Sequence, residues 1–212
     1  MKENQEKLTS AELRRKEQYE RKREKLKQDG YEEHKILIGG LYANLMSLVY
    51  GIPLILFFGA VYFLVNRGID FEVGDNLIMY YFIYLGSLIV LTVVHELIHG
   101  LFFGIWCKNH FKSIEFGFKL KQMVAYCTCA EPLTKGQYIV ALLMPTIVLG
   151  FIPCIVAIMT ESLLLFLIGA TMILGGGGDF TIFFKIIRYR SELKDRVWID
   201  HPYECGIVVF EK

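Results

Sequence analysis

An excess of charge of either sign is missing from this 212-residue sequence: 23 Lys and Arg stand against 22 Asp and Glu, a net charge of +1. Nothing in that balance points to nucleic acid or to an acidic partner. Paired cysteine motifs are missing too. The five cysteines (Cys107, Cys127, Cys129, Cys154, Cys205) have no regular spacing, which excludes a secreted disulfide framework and a CxxC…CxxC zinc site. Charge itself is scarce, at 21% of residues, and 20 of the 45 charged residues fall in the first 35. A charged run precedes the first apolar stretch, so no signal peptide is expected.

What is present is apolar. Hydrophobic residues make up 54% of the chain and the mean hydropathy is +0.40, above the roughly 45–50% apolar content of soluble domains. Four stretches, at about residues 41–65, 77–106, 137–159 and 162–187, are long enough to span a bilayer, for which roughly 20 residues suffice. The expected fold class is therefore an all-α membrane protein: four transmembrane helices, a small cytoplasmic β-hairpin at about 114–130 and an N-terminal charged helix. The expected division is a charged cytoplasmic helical extension (1–40), a four-span membrane core (41–187) and a cytoplasmic tail (188–212). Pro53 predicts a kink in the first span. The short Thr160-Glu161 link predicts an antiparallel pairing of spans three and four.

In the extension, Thr9 and Glu12 form a capping box, Glu12/Lys16 and Glu17/Arg21 are i,i+4 pairs, and Gly30 suits a helix end. Leu13, Tyr19 and Leu26 are too few to bury a face, which predicts a solvated helix at the membrane surface. A partner-binding arm is the competing reading. Lys plus Arg counts are 11 before span one, 1 between spans one and two, 5 between two and three, none between three and four, and 6 from Lys185 onward. Positive residues favour the cytoplasm, so both termini and the loop between spans two and three are expected there, in the cell membrane.

The chemistry is concentrated in span two, whose only acidic, basic or histidine side chains are His95, Glu96 and His99. Histidines four apart share one helix face and can bind one metal, while the Glu between them can take a proton from water without ligating. Such groups deep in a bilayer are costly unless paired or metal-bound. The competing reading is a hydrogen-bonded polar knot between helices. A zinc site of this type needs a third protein ligand. Glu161 falls at a helix end, and Asp195 and Asp200 lie in the polar tail, whereas Asp179 is an acid within a span. His95 comes 18 residues after the start of span two and Asp179 17 after the start of span four. Both spans run from outside to inside, so the two groups lie at nearly the same depth, within ~1.5 Å. The glycines at 175–178 permit close helix approach and local unwinding, unless they are only a hinge with Asp179 as its cap.

With these residues, the sequence resembles the site-2 protease class of intramembrane zinc metalloproteases, and more closely a family of small zincin-type membrane proteins, DUF3267. The resemblance runs over residues 77–206 and rests on the motif at 95–100, Pro145 with Gly150, Gly178-Asp179, and Asp200-His201-Pro202 followed by Gly206. It implies one Zn2+ per chain held by His95, His99 and Asp179, with Glu96 as general base.

Between spans two and three, residues 114–120 alternate apolar and polar, the period of a half-buried strand, and 124–129 is a second β-prone run. Lys121-Gln122-Met123 is the expected turn. Proteolysis needs an extended substrate backbone, which addition to a free strand edge supplies. Phe116, Phe118 and Tyr126 are the candidate substrate-edge residues, with a simple covering loop as the alternative. His201, restrained by the proline after it, and Asp200 are candidates for supporting the metal site. His110 reads as a surface histidine, and Cys127 and Cys129 read as packed side chains before they read as metal ligands. The expected function is hydrolysis of membrane-spanning or membrane-apposed peptides, with the bilayer as surroundings and no nucleic-acid partner. The alternative is a non-catalytic metal-binding membrane scaffold or protective partner. A transporter is disfavoured by four spans without a repeat.

Overall fold

A computed structural model of the chain describes residues 10–67, 76–119 and 124–212. The expected cap at Thr9 and the expected turn at 121–123 lie outside the described residues. The chain is mostly helical. Helix α1 (Ser10–Gln28) is followed by strand β1 (Glu32–Leu37), then α2 (Gly40–Asn66) and α3 (Leu77–Trp106). Strands β2 (Ile114–Lys119) and β3 (Val124–Cys129) form a hairpin. Helices α4 (Lys135–Thr146), α5 (Ile152–Thr160), α6 (Leu163–Gly175) and α7 (Gly177–Arg188) follow, and β4 (Arg196–Asp200) and β5 (Gly206–Glu211) complete the set.

Three helical segments, Gly40–Asn66, Leu77–Trp106 and Lys135–Thr160, are long and apolar enough to cross a membrane, and a fourth is α6 with α7, bent by 48°. They agree with the expected spans in position, and in number where the bent pair is counted as one span. α3 is inside-out relative to a water-soluble helix: Ile78, Val90 and Leu97 are exposed while His95 and His99 are buried. Hydrocarbon, not water, suits that surface.

The two proline-bearing spans both continue past their prolines. Pro53 sits within continuous α2. Between α4 and α5 a π-helical turn, Ile147–Phe151, carries the chain past Pro153, with the Ile152 N–H reaching Ile147 O. Pro153 has no N–H to offer the α-helical ladder, and widening the turn re-pairs the neighbouring groups. α4 opens with a capping box, Thr134 with Gln137. Close crossings need glycine. A Cβ on Gly169 would meet Gly150 O and Cys154 Sγ, each at 2.9 Å, and one on Gly177 would collide with Ser47 of α2.

The unexpected element is a three-stranded antiparallel sheet in the order β1-β5-β4. Register pairs Glu32 with Glu211 and Val197 with Phe210. Every residue of central β5 is buried. Ile207 and Val209 join Trp198, Phe103 and Tyr138 against the helix ends. Val208 and Phe210 join Ile199 and Tyr19 beneath α1. A strand covered on both faces reads as a continuous apolar run, and Ile207-Val208-Val209-Phe210 is one. The expected tail at 188–212 thus supplies two of the three strands of a sheet.

The expected solvated helix at the N-terminal end is likewise docked: Tyr19 is 7% exposed, and its hydroxyl donates to Glu33 Oε1 at 2.7 Å. One large amphipathic side chain anchors the helix where an apolar stripe would otherwise be required. Leu13 remains exposed, as expected. Gly30 closes α1 as expected, at φ 86°, with Tyr31 N–H returning to Leu26 O at 3.0 Å.

Candidate metal centre

His95 and His99 project from the C-terminal half of α3, and Asp179 from the first turn of α7 just past the bend. The bend turns that carboxylate onto the histidine pair. His95 Nε2 lies 3.1 Å from Asp179 Oδ2, His99 Nε2 lies 3.4 Å from the same oxygen, and the two Nε2 atoms are 3.2 Å apart. Among the described residues this is the one group of three such donors converging within 4.8 Å. Four tetrahedral ligands about 2.0–2.1 Å from zinc lie roughly 3.3–3.4 Å from one another. The observed triangle fits that spacing.

The hydrogen bonding fits as well. His99 Nδ1 donates to the Ala141 carbonyl of α4 at 2.9 Å, which places the ring proton there and leaves Nε2 with its lone pair inward. A lone pair, a second imidazole nitrogen and a carboxylate oxygen then face one another in a buried space. A cation satisfies all three.

Glu96 takes no part in the triangle. Its carboxylate accepts from the Cys127 N–H of β3, and it lines the same cavity, about 240 Å³, as His95, His99, Asp179, Tyr126, Tyr138 and His201. The β3 edge therefore borders the site. Cys127 N–H points to Glu96 and Cys129 N–H donates to Asp200 Oδ2 at 2.7 Å, so the alternate amides of β3 face away from β2. Tyr126 lines the cavity. Phe116 and Phe118 do not, and the Phe116 ring lies over Gly100 of α3.

Asp200 and His201 both reach the cavity wall. Asp200 Oδ1 accepts from the Tyr138 hydroxyl. Burial pushes the Asp200 carboxyl up to about 6, against the opposing pull of its bonds from Tyr138 and Cys129. His201 Nδ1 accepts from Glu204 N–H at 3.1 Å. Glu161 is remote from the site, with its carbonyl accepting the Tyr62 hydroxyl at 2.7 Å, and Asp195 receives the Tyr31 hydroxyl. His110 is exposed, as expected. Cys129 lies in the core with its Sγ 3.1 Å from that of Cys107, and its thiol holds no place at the triangle.

Tyr138, the Ala141 carbonyl and Arg15 went unread in the sequence. Tyr138 had a signal, being the sole tyrosine of span three. A backbone carbonyl has none.

A protein-family model, DUF3267, described as "Putative zincin peptidase", matches residues 88–193. No curated protein and no solved structure matches the chain. The matched residues hold the whole donor triangle and Glu96, and they make up half of the sequence. The chain belongs to the DUF3267 family.

Proposed function

We propose that this protein is an intramembrane zinc metalloprotease that hydrolyses membrane-spanning or membrane-apposed peptides. The observation that carries the reading is the convergence of His95, His99 and Asp179, with Glu96 on the same cavity wall, inside helices apolar enough to span a bilayer. These three side chains would hold the ion, and a His/His/carboxylate set suits zinc. Zinc, when bound, supplies Lewis acidity and lowers the pKa of water.

Glu96 is the proton carrier: its carboxylate takes a proton from the attacking water and returns it to the leaving amine nitrogen. The Cys127 N–H steadies that carboxylate at the edge of β3. An extended substrate adds alongside β3, with Ala125 presenting its outward N–H and carbonyl and Cys127 its outward carbonyl. Among the described residues no fourth donor joins the triangle, which favours an open catalytic site over the closed site of a scaffold. The excess of Lys and Arg in the segments at the sheet end assigns that end to the cytoplasm.

The test is a comparison of zinc content and cleavage of fluorogenic membrane-apposed peptides by purified wild type, Glu96→Gln and Asp179→Ala. Glu96→Gln is expected to keep about one zinc per chain and to lose cleavage by roughly 10²- to 10⁴-fold. Asp179→Ala is expected to lose the metal. Wild-type cleavage by Glu96→Gln overturns the base assignment, and full zinc in Asp179→Ala removes that ligand.

A further inference from the structure

Fixed positive charge is almost absent from the cavity. Among the described residues that line it, Arg15 is the one lysine or arginine. It comes from α1, outside the matched residues 88–193, and is only 6% exposed. Its Nε is buried with no hydrogen-bond partner. The nearest carboxylate oxygen, Glu115 Oε2, is 3.9 Å away, beyond hydrogen-bond reach. The guanidinium carbon lies 4.9 Å from the centroid of the Tyr126 ring, itself a cavity wall. Stacking of this kind fixes the plane of the fork while leaving its donors free. A buried guanidinium N–H is costly to leave without an acceptor, and Nε of Arg15 is one.

The carboxylates nearby are engaged or remote from this role. Asp200 accepts from Tyr138 and Cys129, Glu96 accepts from Cys127, Asp179 faces the two histidines, and Glu204 is exposed. The anchoring of α1 does not rest on Arg15 alone. Tyr19 holds it to Glu33, and the Lys22 ammonium donates to the Ala130 carbonyl just past β3. The helix thus delivers one under-satisfied cation to the wall where a substrate strand would run.

We propose that Arg15 is a specificity-determining residue that binds a carboxylate of the peptide substrate. The inference rests on the peptidase reading. The planar fork of Arg15 suits bidentate capture of a carboxylate, either the C-terminal group or an Asp or Glu side chain. A charge-assisted pair of this kind corresponds to about 10- to 100-fold in affinity.

Binding is read in the full-length Glu96→Gln protein, so that turnover does not intervene. Three fluorescein-labelled peptides of one sequence serve as probes: a free C-terminal carboxylate with an interior Gln, a C-terminal carboxamide with that Gln, and the carboxamide with Glu in its place. The first or the third is expected to bind about 10- to 100-fold more tightly than the neutral second, and which one does so identifies the source of the carboxylate. Adding Arg15→Gln is expected to bring that ratio to about one with the neutral peptide's Kd unchanged, and Arg15→Lys to retain part of it. Glu115→Gln removes the one competing carboxylate and is expected to raise the ratio, whereas a purely structural Arg15–Glu115 pair predicts no gain. A ratio near one in the parent, a ratio that survives Arg15→Gln, no binding of any probe, or no gain with Glu115→Gln each overturns the proposal. The peptidase reading fails separately, if wild type cleaves none of the probes while the Arg15-dependent preference stands.

Discussion

Asp200 shows how a single carboxyl can tie a sheet to an apolar helix. It takes the Tyr138 hydroxyl of α4 and the Cys129 N–H of β3 from its place at the end of β4. Burial raises its pKa to about 6, above the roughly 3.9 of an unfolded aspartate. A raised carboxyl pKa means that the fold favours the protonated form. Its contribution to stability is complete below about pH 4 and is lost as pH rises through about 6. Asparagine keeps the shape but does not titrate. The apparent Tm of wild type minus that of Asp200→Asn is therefore expected to fall between pH 4 and 7, as scanning fluorimetry can follow. A difference independent of pH would show that the group titrates elsewhere. His99 and Asp179 are set with equal economy, one by a backbone carbonyl and the other by the first turn of a half-helix.

At the scale of elements, the bend between α6 and α7 decides where Asp179 goes, and the glycines there have different duties. Gly176 and Gly177 lie where a Cβ would strike Thr146 and Ser47, whereas a Cβ on Gly178 meets nothing within 4 Å. Gly177→Ala is expected to destabilise by about 1–3 kcal/mol through overpacking and to weaken zinc retention by shifting α7. Gly178→Ala is expected to be tolerated in both respects. Zinc content and apparent Tm of the two variants check this, and equal behaviour would remove close approach as the reason for the glycines.

The spans, the HExxH helix, Asp179 and the β2–β3 hairpin were legible because each announces itself locally, by length, spacing or alternation. The three-stranded sheet was not. Ile207-Val208-Val209-Phe210 is too short a run to tell a buried strand from a loop, and its partner β1 is polar, with Glu32, Glu33, His34 and Lys35 on an edge strand. Docking of α1 went unread for a similar reason. A stripe is what periodicity detects, and here Tyr19 and the buried Arg15 take the place of one.

For the whole molecule, the pairing of β1 with β5 has a topological meaning. β1 precedes α2 and β5 follows α7, so their pairing requires that any membrane crossings between them be even in number. β3 and the segment after it join them there, through the Cys129–Asp200 bond and the Leu133–Trp198 bridge. Tyr62 and Glu161 meet at the opposite end. A membrane-impermeant maleimide is expected to label Cys205, the exposed cysteine of the sheet end, in inside-out vesicles and not in right-side-out ones. A cysteine placed at Glu161 is expected to show the reverse. Labelling of both from one side would exclude the arrangement.

The order of synthesis gives the sheet a further consequence. β1 leaves the ribosome before α2–α7, yet its hydrogen-bonding neighbour is β5, which follows all of them. The connection from β4 to β5 forms the lip of the cavity through His201, Pro202 and Tyr203. A nascent chain can therefore insert its HExxH helix while the cavity still stands open and its rim unformed. Arrival of β5 closes the sheet and the rim in one event, so a peptidase built on this plan would gain its substrate cleft only once β5 is made, sparing the membrane proteins made beside it.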